Sequence, residues 1–109
     1  MFVVHVAAGE EVVESITRQC ADRGIRHAGI LLIGAVKGCT ISVMPRGDET
    51  ADIITDYDEP FELTGTGELV DGRAHLHVSA GGEGRTVVGH LHRACVGHWF
   101  VRAYVTPLG

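Results

Sequence analysis

Two histidine pairs carry the chemical interest of this 109-residue sequence: His75-Leu76-His77 and, further along, Gly89-His90-Leu91-His92. Residues i and i+2 of a strand project from one face, so the two imidazoles of each pair point together and the leucine between them points away. The segment from Ser79 to Arg85 holds Gly81, Gly82 and Gly84, which permits the tight reversal of a hairpin. If the flanking strands pair, up to four imidazoles gather on one small patch, and such a patch suits a metal ion or an anion. Zinc and similar divalent ions bind neutral imidazole nitrogens at about 2.0–2.1 Å, and a three-histidine set leaves one position open for water or a ligand. The plainer alternative is that the HxH pairs are only the polar face of a strand.

The other titratable residues offer less. His92 shares the face of His90 and is placed as a fourth ligand, an outer partner or a solvent-facing residue; His5, His27 and His98 are expected at the surface or at strand edges. Glu68, and Glu83 in the Gly-rich turn, are the carboxylates within reach of a general-base role, though ordinary solvation is the simpler expectation for both. Arg73 and Arg85 flank the hairpin, where they would attract an anionic ligand or merely keep a turn soluble. Cys95 is assigned to core packing. No serine-histidine-acid order, phosphate loop or dinucleotide fingerprint is present, and Gly81-Gly-Glu-Gly84 lies between strands rather than before a helix.

The elements that must position the histidines follow from periodicity. Phe2 to Ala7 is β-branched and apolar, a first strand. Glu10 to Arg23 has Val13, Ile16 and Cys20 at helical spacing with Val12 on the flank, acids in the first turn, Arg23 in the last and Gly24 as the stop. Ala28 to Val36 contains Ile30-Leu-Leu-Ile33, apolar on both faces and therefore in need of cover on both. Cys39 to Met44 alternates as a half-solvated strand does. Residues 49 to 60 form an acidic connection with room for a short strand at Asp52 to Thr55. Phe61 to Val70 is a strand interrupted by Gly65 and Gly67; Asp71-Gly72 is a hairpin turn. After the histidine hairpin, Val96 to Val105 is the last strand, with Trp99 and Phe100 facing opposite ways, one toward the core and one toward a subunit contact. The expected class is α+β: a mainly antiparallel β-sheet flanked by one main α-helix, in a single domain over residues 1–109.

Composition narrows the function. Hydrophobic residues make up 45% and charged residues 21%, an ordinary globular mix. No apolar run approaches the roughly 20 residues that span a bilayer, and the N-terminal stretch lacks the basic region and cleavage site of a signal peptide, so a cytoplasmic location is the default expectation. Three scattered cysteines without a CxxC pair suggest reduced thiols. A net charge of −5 with no basic cluster disfavours DNA binding, which draws on phosphate contacts.

Taken in order, Gly9-Glu10, Gly24-Ile25, Ile33-Gly34-Ala35-Val36, Phe61-Glu62-Leu63, Gly65-x-Gly67-x-Leu69, His75-Leu-His77 and Gly89-His90-Leu91 resemble the PPC domain (plant and prokaryote conserved domain, DUF296) over nearly the whole chain. The ordered combination of the two histidine motifs is the sharpest part. This chain departs from the family in keeping one glycine of the usual Gly-Gly-His-Leu, and in reading Trp99-Phe100-Val101-Arg102 where many members carry a Thr and then a Glu. The resemblance implies a sheet flanked by one helix, a homotrimer and, residue by residue, His75, His77 and His90 as ligands of zinc or another divalent transition metal. It also implies DNA association by family analogy. The leading expectation is a trimeric metal-binding module with a possible small-molecule ligand at the metal. The alternatives are a DNA-associated regulator and a metal-dependent enzyme acting on a small anionic substrate.

Overall fold

The computed structural model describes all 109 residues. The order of elements is β1 (Phe2–Val6), α1 (Val12–Asp22), β2 (Ala28–Val36), β3 (Gly38–Val43), β4 (Ile53–Tyr57), β5 (Phe61–Val70), β6 (Arg73–Gly82), β7 (Arg85–Cys95) and β8 (Val101–Pro107). The strands form one sheet in the order β1-β8-β2-β5-β6-β7-β3-β4, antiparallel at every pairing. This is the expected α+β architecture with one helix.

One face of the sheet and the helix enclose the core. Alternate residues of the central strands (Ile30 and Leu32, Leu63 and Leu69, Leu76 and Val78) point inward, as a period of two requires. The sheet curls so that β1 at one edge and the β6–β7 pair both reach α1. Backbone bonds from Gly9 N–H to the Val96 carbonyl and from Val96 N–H to the Glu10 carbonyl tie the two regions together.

The helix differs in detail from its expected form. Its buried stripe runs Val12, Ser15, Ile16, Cys20, with Val13 only partly buried, so the stripe is centred one residue earlier. Glu11 lies outside the first turn as the N-cap: its carboxylate accepts from Val13 N–H and Glu14 N–H, and also from Ala94 N–H of β7 at 2.9 Å. Arg23 falls beyond the last turn and stacks its guanidinium 4.1 Å from the Phe2 ring. Gly24 takes the left-handed stop, φ 71°, as expected.

Three further expectations are corrected. The last strand begins at Val101 rather than Val96, because β7 continues to Cys95 and residues 96–100 make the crossing to β8. Neither Trp99 nor Phe100 enters the core: Trp99 is 64% exposed, and Phe100 lies between His5 and the Arg102 guanidinium. The histidine hairpin is tighter than the Ser79–Arg85 loop, since β6 runs to Gly82 and only Glu83 and Gly84 turn.

Candidate metal centre

The histidines stand on the face of the sheet opposite the core. His77 and His90 are direct register partners across β6 and β7, and His75 is two residues from His77 on the same face. The ring centroids lie 4.9 Å apart for His75–His77, 5.0 Å for His75–His90 and 6.0 Å for His77–His90. One nitrogen from each ring falls within 4.8 Å of the other two. Nitrogens sharing a tetrahedral ion stand about 3.4 Å apart, so modest rotation of the exposed His75 and His77 rings toward the half-buried His90 closes the set. Donor type and spacing therefore fit zinc or a similar divalent ion.

Glycines on the inner face bring the backbones together beneath the rings. A Cβ at residue 67 would overlap the His75 carbonyl oxygen, and one at residue 65 would stand 2.7 Å from the His77 carbonyl oxygen. Gly65 and Gly67 thus leave β5 unbroken and let it lie close against β6 at the two histidines. Their meaning is close approach, where the sequence suggested interruption.

His92 is set apart by a β-bulge. The register shifts between Thr40 and Ile41, so His92 and Arg93 together oppose Thr40, after which Ala94 and not Arg93 points into the core. The His92 ring lies 4.6 Å from that of His90, but its Nε2 is hydrogen-bonded at 2.8 Å to Ser42 Oγ, and it stands outside the three-nitrogen set. Among the other candidates, His5, His27 and His98 are exposed and remote from the cluster. Glu83 sits in the turn of the β6–β7 hairpin. Arg85 pairs with Glu59 at 2.7 Å, and neither Arg85 nor Arg73 lines the clefts at the histidines. Cys95 is half-buried beside the Arg93 guanidinium, while Cys20 and Cys39 are buried and all three thiols are free.

Glu68 is the cross-strand partner of His75, with Oε2 3.9 Å from His75 Nδ1. A ligand histidine commonly gives its second ring nitrogen to such a carboxylate, which fixes the tautomer and aims the other nitrogen. Period-two parity alone could have paired them, given the Asp71-Gly72 turn. Across the cluster, the loop between β3 and β4 brings Glu49 and Asp52 to a cleft of about 490 Å³ shared with the three histidines. These two carboxylates went unnoticed in the sequence because their segment has no periodicity to place it. Burial lowers the pKa of His90, as do the neighbouring His92, His75 and His77, while Asp52 acts in the opposite direction. His90 is therefore neutral at pH 7 and available as a ligand.

No helix is long and apolar enough to cross a membrane. No curated protein matches the chain. Among solved structures, it is similar to a metal-containing protein of Archaeoglobus fulgidus, at 28% identity with a TM-score of 0.83, covering 99% of this chain and 79% of that one. It is similar to a plant- and prokaryote-conserved (PPC) protein of Pyrococcus horikoshii at 26% identity and TM-score 0.79, covering 99% and 78%. A protein of Ralstonia eutropha with a provisional DNA-binding name shares the fold at 21% identity and TM-score 0.77, covering 97% and 76%. The family model for the Plants and Prokaryotes Conserved (PCC) domain, the same family as PPC, matches residues 1–108, and the chain belongs to that family.

Proposed function

We propose that this protein is a metal-binding module that holds zinc or another divalent transition metal through His75, His77 and His90. The observation that carries this reading is the convergence of three imidazole nitrogens within 4.8 Å on paired strands, with neighbouring space left for a further ligand. The metal-containing relative from Archaeoglobus fulgidus supports it. When bound, such an ion supplies Lewis acidity at its open position. The chain's own part is to aim the imidazoles, through the β6–β7 register and through Glu68 beside His75. Metal analysis of untagged protein tests the reading: about one equivalent is expected in wild type and none in His77→Ala. Absence of metal in wild type, or retention in the variant, rejects it.

Assembly as a homotrimer belongs to the same proposal. Leu31 and Ile33 stand more than half exposed on the histidine-bearing face, with Trp99 beside Ile33, an apolar patch of the kind that marks a subunit contact. The DNA-associated reading rests on a name shared at low identity, and the net charge of −5 opposes it. Absence of duplex binding at low salt would eliminate it.

A further inference from the structure

We propose that the small-molecule ligand of this site is a cation: an ammonium group joined by a short aliphatic spacer to a neutral oxygen or nitrogen donor. The inference rests on the metal reading above and adds the chemistry of what the metal takes. It replaces the anionic substrate suggested by sequence.

Three features of the cleft carry it. The histidines provide the end at which a neutral donor meets the ion. Val43, Met44 and Val88 line the same cleft, and Met44 and Val88 are 62% and 58% exposed, so they offer an aliphatic wall. Glu49 and Asp52 complete the lining, and neither has an ion-pair partner within 4.0 Å. On the other side of His75 and His77, Glu68 lines an adjoining cleft of about 300 Å³. No lysine or arginine lines either space.

The balance of charge decides the polarity. Three neutral imidazoles leave the two positive charges of a divalent ion uncompensated, and the three surrounding carboxylates outnumber those charges. An anionic ligand reaching the ion passes Glu49 and Asp52 against their repulsion, whereas an ammonium group is drawn to them. Arg73 and Arg85, the residues that would have favoured an anion, lie elsewhere, Arg85 being held by Glu59.

Cobalt-substituted protein gives a readout that needs no turnover, because the visible d–d bands of Co²⁺ report ligand entry. We would titrate it with 3-amino-1-propanol and, separately, with propionate at matched ionic strength, in wild type and in the double variant Glu49→Gln/Asp52→Asn. These are exposed, unpartnered residues, so folding is preserved, as circular dichroism would verify. The expected result is that the amino alcohol binds the wild type more tightly than propionate does. The double variant should weaken amino-alcohol binding about two- to thirtyfold, the range for two exposed charge contacts, and raised salt should weaken it in the wild type. A wild type that prefers propionate, or an unchanged preference in the double variant, overturns the cationic-ligand inference while leaving the metal site standing. Failure to take up Co²⁺ at the histidines, seen as no imidazole-dependent d–d spectrum, sinks the metal reading itself and this inference with it.

Discussion

Replacing Gly67 by alanine tests whether the glycines of β5 exist to bring its backbone against β6. The added Cβ would overlap the His75 carbonyl oxygen and stand 2.8 Å from Leu76 Cδ2 and 2.9 Å from Leu76 Cα. Comfortable carbon–carbon contact is about 3.5–4.0 Å. Leu76 is 1% exposed and has nowhere to swing, so relief requires the two strands to part by on the order of 1 Å. Overpacking of this kind costs about 1–3 kcal/mol, and weakening two ladder hydrogen bonds adds about 1 kcal/mol each. The expected destabilisation is therefore about 3–5 kcal/mol. Gly29 is a built-in control: it is the β2 partner of Glu68, and its Cβ would meet nothing within 4 Å. Gly29→Ala should be neutral or gain about 0.4–1 kcal/mol through the unfolded chain. Urea unfolding of metal-free protein measures both. If Gly67→Ala stays within about 0.5 kcal/mol of wild type, or the two glycines respond alike, the close-approach argument is refuted.

Further expectations follow from the same geometry. Glu68→Gln should lower zinc affinity about 10–100-fold by competition titration if this carboxylate orients His75, with the fold unchanged because Glu68 is exposed. His90 has a folded-state pKa below its ordinary value of about 6.5. The unfolded chain therefore binds more protons in the window beneath that value, and stability of the metal-free protein should fall as pH drops through it. Thermal melts from pH 7.5 to 5.5 should show this slope, flattened in His90→Ala. Thiol titration of the native protein should find only Cys95 readily reactive, since burial raises the pKa of both other thiols, Cys39 to about 11. Leu31→Glu together with Ile33→Glu should convert a trimer to monomers by light scattering; a wild type that is already monomeric at micromolar concentration would contradict the trimer.

Much of the site was legible because it depends on parity. Once His75-Leu-His77 and Gly89-His90-Leu-His92 are strands joined by a short turn, period two puts the rings on one face, and the hairpin register makes His77 and His90 partners. The strand Phe61–Val70 and the Asp71-Gly72 turn were equally plain: Asp71 and Gly72 both adopt positive φ, as a mirror-image hairpin turn requires. What escaped depends on contacts between distant segments. The bulge at His92-Arg93 is set by pairing with Thr40, and its one local signal was a charged residue falling on core parity with Ala94 next to it. Glu49 and Asp52 reach the histidines through tertiary folding of a loop without periodicity. Trp99 and Phe100 sit in a connection where alternation has no hold, so counting along the chain misplaced them.

Anomalous scattering from crystals of protein grown with zinc tests the central claim most directly. The account predicts one strong peak within bonding distance of a ring nitrogen of His75, His77 and His90, with no peak in crystals of the His77→Ala protein. A wild-type map empty at that position, or a peak bound elsewhere on the chain, would contradict it.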